Sequence, residues 1–556
     1  MRVFKASRVI VALCLVVSLA AVVTSSVRSK VAIAAQTSAS TSAQKVIRIT
    51  PPAPVFNAEE RRAELAERRA RVASQVGAKG VMILFGAEPR LYTNDVDYEY
   101  RQENNLFYLT HLNQAGATLV LLPGSTTTRE ILFLPRRDPA RETWNGYMYS
   151  PEDAQRISGL NEIWDAREFE PFTRALMEGR AYYPRPENVL LSALKPQATV
   201  ETASQLFAAA AKSEAMLYLL VPRRDAESGE FGDSREWRRE QRFAEGWRKT
   251  VKGYTIRSAF PIFSEMRLRK SPSEIRLLQH AVDITTEGFG RAMAVAGRAQ
   301  WEYEVEAEIE YTFKRRNADQ WGYPSIVGCG PNATTLHYVE SQGRVAPGDL
   351  LLMDVGAEYQ HYTADVTRTF PISGKFTPEQ ADIYNIVLAA QEAAFNVSRP
   401  GSTKDDVHKA ATEAIKDGLL RLGLITSREG TVTVNNRQVP QYRLWFMHGT
   451  SHWLGMAVHD IGEGNPKLEP GMVYTNEPGI YIRADALQYL PKTPENDKFT
   501  AAVRAAFEKY KNIGVRIEDD VLITPDGYRN LSAALPRTIP DIEAFMARAA
   551  RELGER

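Results

Sequence analysis

Apolar and polar residues change rhythm several times along the chain, and each change marks an element. Residues 9–23 form an apolar run broken only by Ser18 and preceded by Arg2, Lys5 and Arg8. At about 15 residues it is shorter than the ~20 that span a bilayer as a helix, and the small-residue site Ala32-Ile33-Ala34 follows. Residues 1–35 therefore read as a signal peptide for export to the periplasm or the medium, with a retained anchor as the alternative. Residues 36–56, rich in Ser, Thr, Ala and Pro, read as a disordered spacer. No later run is long and apolar enough to cross a membrane, so no stable span is expected after cleavage.

Order is expected to begin near Asn57. Asn57 and Glu60 suit a capping box ahead of an amphipathic helix over 59–76, whose arginines read as a solvated face. The β-rich runs 81–85, 117–122 and 130–134 alternate with helical stretches, which predicts an α/β domain over 57–265. Residues 223–248 mix both charge signs at helical spacing, the pattern of an exposed helix. Lys270-Ser271-Pro272-Ser273-Glu274 then reads as a turn and N-cap opening a helix through Met293. Residues 261–270 are the expected connection to a second domain over 266–548. There, 350–355 and 361–370 alternate as strands around a turn at 356–360. Paired as a hairpin, they set Asp354 and Asp365 side by side.

Composition adds limits. A chain of 556 residues exceeds one ordinary core, and 44% hydrophobic with 25% charged residues is globular usage. A formal charge of +1 gives no electrostatic case for nucleic acid as a partner. With Cys14 in the leader, Cys329 is the only cysteine of a mature form, so an intramolecular disulfide is excluded.

The chemistry lies in the second domain. Two adjacent aspartates repel unless a cation or proton sits between them. The segment HGTSHWLGMAVHD supplies His448, His452 and His459, three of the chain's eight histidines. Glu477, in TNEPGIYI, follows the apolar Met472-Val473-Tyr474, and Glu518, in GVRIEDDV, lies between Ile517 and Val521-Leu522-Ile523. Acids embedded in strands need compensation, which metal ions provide. Asp354, Asp365, His452, Glu477 and Glu518 together offer four carboxylates and one imidazole. Such a set suits two hard divalent cations sharing ligands, manganese rather than a lone zinc.

These motifs, taken together, resemble the catalytic domain of the creatinase, prolidase and methionine aminopeptidase group, and within it most closely the aminopeptidase P family. Tyr98-Glu99-Tyr100-Arg101-Gln102 and Asn105-Leu106-Phe107-Tyr108-Leu109 resemble that family's N-terminal module, so the match runs from about Asn57 to Ala547. The resemblance implies an α/β N-terminal domain of the creatinase/aminopeptidase P type followed by an α+β pita-bread catalytic domain. It implies one ion on Asp365, His452, Glu477 and Glu518, and a second on Asp354, Asp365 and Glu518, with a hydroxide between them as nucleophile. It further places His337 and His459 near the tetrahedral intermediate, and gives Glu477 the proton shuttle. His448 and Tyr481 are implied at the substrate, and Arg516 paired with Asp95. Trp144 corresponds to an aromatic that a neighbouring subunit offers to the proline pocket, so a homodimer or homotetramer is expected. The chain departs from the family pattern in a longer stretch between Tyr481 and Gly514 and in extra residues around 223–249.

The implied activity is removal of the N-terminal residue from peptides with proline second. Proline lacks an amide hydrogen and has fixed φ, so its peptide bond calls for a dedicated pocket. A dipeptidase for Xaa-Pro shares all five ligands and is the alternative. A metal-free pita-bread binding protein or a creatinase-like hydrolase is disfavoured by the intact ligand set, and methionine aminopeptidases generally lack so large an N-terminal domain.

Overall fold

The computed structural model describes residues 45–125, 129–192 and 203–554. The expected signal peptide and residues 36–44 of the expected spacer lie outside the described residues. The first domain is built on a mixed seven-stranded sheet in the order Val189–Ser192, Glu162–Asp165, Glu130–Leu134, Thr118–Leu121, Gly80–Phe85, Ala215–Leu219, Tyr254–Ser258. All six residues of Gly80–Phe85 are buried, as a strand covered on both faces requires. Its side chains divide by parity. Val81, Ile83 and Phe85 join a core confined to this domain, whereas Met82 and Leu84 join one that continues into the second domain through Leu268, Leu277 and Val327. The two domains therefore share a core on one face of the sheet.

The second domain consists of small antiparallel sheets enclosed by helices. Ile326–Cys329, Leu350–Val355 and Val366–Pro371 form one sheet, and Val473–Asn476, Asp519–Thr524 and Gly527–Asn530 another. Helices Pro272–Val295, Glu302–Arg315, Pro378–Val397 and Lys404–Leu422 pack around them. Ser271 caps the first in a full capping box with Glu274, and Pro272 opens it, as the sequence predicts.

Five expectations need correction. Residues 45–56 are not a spacer: Ile47 is buried against Ala294 and Ala549, and the Thr50 hydroxyl and N–H both donate to Glu287. The arginines of helix Ala58–Val76 are not all solvated. Arg68 pairs with Glu64 and Glu274 and donates to the Tyr108 carbonyl, while Arg69 pairs with Glu130 and donates to the carbonyls of Leu109 and Ser158. A guanidinium can be buried when its donors are satisfied in this way, and charge spacing alone does not show it. Residues 261–270 are a helix, Phe260–Leu268, that buries Ile262, Phe263 and Met266, rather than a plain connection. The charged stretch at 223–248 forms two helices, Arg223–Ser228 and Arg238–Thr250, and the second buries Glu240, Gln241, Ala244 and Trp247. At the C-terminus, helix Ile539–Gly554 continues past residue 548, with Ala549 buried.

Candidate metal centre

The hairpin forms, with its turn at Gln360 and His361, both in the left-handed region. Leu350–Val355 pairs with Val366–Pro371 so that Asp354 faces Thr367, and Asp365 stands one residue before the second strand. Gly356 makes the crossing possible: a Cβ there would lie 1.8 Å from the Ala364 carbonyl oxygen. The Asp365 N–H donates to buried Asp520 at 3.1 Å, which fixes the backbone at this ligand.

Glu477 and Glu518 follow the ends of two elements that meet from the other sheets. Buried Gln391, on helix Pro378–Val397, donates through its amide nitrogen to the carbonyls of Asn476 and Ile517, the residues immediately before each glutamate. Thr367 donates to Glu518 at 2.7 Å, and Thr475 to Glu477 at 3.1 Å. The Thr475 hydroxyl also accepts the His452 N–H, which ties the imidazole segment to the strand that leads to Glu477. His452 Nδ1 faces the Trp453 carbonyl at 3.1 Å. With that nitrogen as donor, neutral His452 presents Nε2 to the site, where it lies 3.2 Å from Asp365 and 3.4 Å from Glu477.

Among the described residues, Asp365, His452 and Glu518 bring one ligand atom each within 4.8 Å of one another. All five expected ligands line one cavity of about 570 Å³, together with His337, His448, His459 and Arg516. Its remaining wall is largely apolar, from Pro324, Ile326, Leu336, Val339 and Val458. The His459 and His452 rings stand 4.4 Å apart.

The electrostatics fit cations. Burial raises the Asp365 carboxyl, and Asp354 adds to the effect; burial likewise raises Glu477 to about 7 despite His452. Glu518 is pushed well above the ordinary range by burial and by Asp365. Burial lowers the His452 imidazole, but Asp365 and Glu477 outweigh it and hold it at about 9. The ligand cluster thus holds protons where two divalent cations would balance four carboxylates, and the residues fit that group.

The neighbours depart from expectation in two places. Arg516 does not meet Asp95, which sits exposed in the turn between strands Leu91–Thr93 and Val96–Asp97. Buried Arg516 pairs instead with Asp354, and donates to the Tyr481 hydroxyl at 2.7 Å and to Thr367 at 3.1 Å. Tyr481 is no part of the cavity wall; it is buried, and its hydroxyl lies 2.9 Å from His448 Nε2. Within this chain its hydroxyl stands between His448 and Arg516. Trp144, expected at a neighbouring subunit's pocket, is 84% exposed on helix Pro139–Asn145 and does not line this chain's own cavity. Sequence reasoning missed Tyr323, whose hydroxyl contacts an oxygen of both Asp354 and Asp365. Its only sequence signal is a lone tyrosine in a Gly-Tyr-Pro turn.

Residues 276–525 match metallopeptidase family M24, and residues 65–183 match the aminopeptidase P N-terminal domain. The Xaa-Pro aminopeptidase of Haemophilus influenzae is 35% identical over 87% of this chain and 97% of its own length. The chain belongs to the aminopeptidase P group of metallopeptidase family M24. Its N-terminal and pita-bread domains are those of the family. The Xaa-Pro aminopeptidase of Escherichia coli is 32% identical over 88% of this chain and 99% of its own. Among solved structures, a substituted form of Escherichia coli aminopeptidase P in complex with substrate superposes with a TM-score of 0.68 at 31% identity, covering 88% of this chain and 99% of that one. Pseudomonas aeruginosa aminopeptidase PepP superposes at 0.69 and 30%, with the same coverage.

Proposed function

We propose that this chain is a two-metal exopeptidase, with manganese as its cation, that removes the N-terminal residue from peptides carrying proline second. Bound divalent cations would lower the pKa of a water and polarise the scissile carbonyl. His337 and His459 line the cavity where they can donate to that carbonyl oxygen as charge develops on it. Glu477 lies 3.7 Å from His448 and 3.4 Å from His452, placed to take the water's proton and return it to the leaving nitrogen. Proline's nitrogen carries no hydrogen as an amide and must be protonated to leave as an amine. His448 is held neutral, at about 3, by burial and by Arg516, and packs edge-on against Phe446 as part of the pocket for the proline ring.

One observation carries the choice of aminopeptidase over dipeptidase. Arg516 is the only Arg or Lys among the described residues lining the cavity, and its guanidinium is committed to Asp354, Tyr481 and Thr367. An Xaa-Pro dipeptide would bring a free carboxylate into this wall with no spare guanidinium or ammonium to meet it. A longer peptide carries its carboxylate out of the mouth.

The charged start at Arg2, Lys5 and Arg8 and the apolar run 9–23 support export to the periplasm or the medium. Assembly as a homodimer or homotetramer is supported by exposed Trp144, Tyr147 and Tyr92, aromatic area that a second copy would cover. The test is hydrolysis by protein stripped with chelator and reloaded with Mn2+. Xaa-Pro-Xaa tripeptides are expected to be cleaved after the first residue, and Xaa-Pro dipeptides far more slowly. Cleavage of dipeptides alone would move the assignment to the dipeptidase.

A further inference from the structure

The segment that carries His459 is gripped from the helix joining the two domains and, through it, from the first domain. Asp460, the residue after His459, is buried with Arg267 and Lys270, and all three side chains are at most 3% exposed. Arg267 donates to one oxygen of Asp460, and Lys270 Nζ stands 3.4 Å from the other. The second arm of the Arg267 guanidinium donates at 2.8 Å to Asn105, on helix Asn104–Thr110 of the first domain. A parallel link comes from Arg101, which pairs with Glu358 and donates to the Met456 carbonyl at 2.9 Å. The segment closes tightly on the carboxylate: the Asp460 N–H donates to the Trp453 carbonyl at 2.9 Å, and a Cβ on Gly455 would lie 2.1 Å from Asp460.

We infer that Asp460, Arg267 and Asn105, with Arg101 beside them, are positioning residues through which the first domain sets the orientation of His459 over the metal centre. None of them lines the cavity. Their effect passes along the segment 453–460, which follows the candidate ligand His452 and contains His459. Glu477 and Glu518 are anchored from outside this segment, by Gln391, Thr367 and Thr475, and the backbone of His452 is held by the Thr475 hydroxyl. Loosening the grip therefore moves His459 and leaves metal loading in place. A displacement of about 1 Å at a catalytic group is enough to lower turnover by roughly two orders of magnitude.

The kinetic part of the test rests on the hydrolytic reading above, and a second measurement does not. Hydrogen exchange of the Mn2+-loaded full chain follows the amides of residues 454–460. Asn105→Ala and Arg101→Gln are expected to speed exchange there at least ~10-fold, with helix Pro378–Val397 unchanged. With an Xaa-Pro tripeptide, Asp460→Asn and Asn105→Ala are expected to lower kcat at least ~10-fold, with KM altered less than ~3-fold and bound manganese unchanged. In a His459→Ala background, Asn105→Ala should cost nothing further. Unchanged exchange in both first-domain variants overturns the inference, and so does full additivity with His459→Ala. If the unsubstituted protein cleaves no Xaa-Pro peptide, the hydrolytic reading fails while exchange still decides the tether.

Discussion

Arg516 forms a buried ion pair with Asp354, a candidate metal ligand, through one of its two carboxylate oxygens. The pair sets the orientation of Asp354 in the absence of metal and offsets one negative charge of the ligand set. Arg516→Gln is expected to lower kcat/KM at least ~100-fold, about 2.7 kcal/mol of transition-state stabilisation, and to weaken the second metal more than the first. Asp95→Asn, at an exposed turn, is expected to change kcat/KM less than ~3-fold. Steady-state kinetics on an Xaa-Pro tripeptide checks both, and equal losses would restore the Arg516–Asp95 pairing that the family resemblance implies.

Tyr323 touches both aspartates through one hydroxyl. Burial and the two carboxylates hold its phenol well above its ordinary range, so it acts as a fixed donor. Tyr323→Phe removes that donor while keeping the ring, and is expected to lower manganese affinity or turnover by ~10–100-fold. Isothermal titration alongside kcat separates the two; no change in either would make Tyr323 a packing residue only.

Much of this centre was legible in the sequence because its residues lie in short, dense segments. Asp354 and Asp365 flank a predicted hairpin turn and three histidines fall within twelve residues, while their assembly with Glu477 and Glu518 into one ligand set is what the family resemblance implies. What escaped were partners from distant elements. Tyr323, Gln391 and Thr475 act through one hydroxyl or amide each, and nothing in their local pattern distinguishes them from ordinary polar residues. Arg68 and Arg69 show the converse error. Helical charge spacing implied a wet face, yet their partners Glu274 and Glu130 come from other elements and make burial tolerable. The helical form of the connection at 261–270 escaped for the same reason: a helix that joins two domains shows little solvated face, here Glu265.

Metal binding must displace protons from this cluster. His452 holds its proton to about 9 and Glu477 to about 7, so at pH 7 loading is expected to release about one proton or more per chain. Affinity for Mn2+ therefore rises from pH 6 to pH 8. The same shifts make the stripped protein pH-sensitive. His452 binds its proton more tightly folded than unfolded, so its contribution to stability is complete below the ordinary 6.5 and lost as pH rises through about 9. Glu477 behaves likewise between 4.5 and about 7. The melting temperature of stripped protein should fall from pH 7 to pH 9, while manganese abolishes most of that fall. Calorimetry in buffers of different ionisation enthalpy checks the proton release, and a metal affinity independent of pH would contradict it.

Asp354, Asp365, His452, Glu477 and Glu518 are proposed to hold two cations that together make the site hydrolytic. Titrating stripped protein with Mn2+, while counting bound metal and following Xaa-Pro-Xaa cleavage in the same samples, tests it most directly. Binding is expected to saturate at about two ions per chain, with activity rising to the same break and Asp365→Ala showing neither. Full activity without metal, or an Asp365→Ala protein that binds and cleaves like the unsubstituted one, would contradict it.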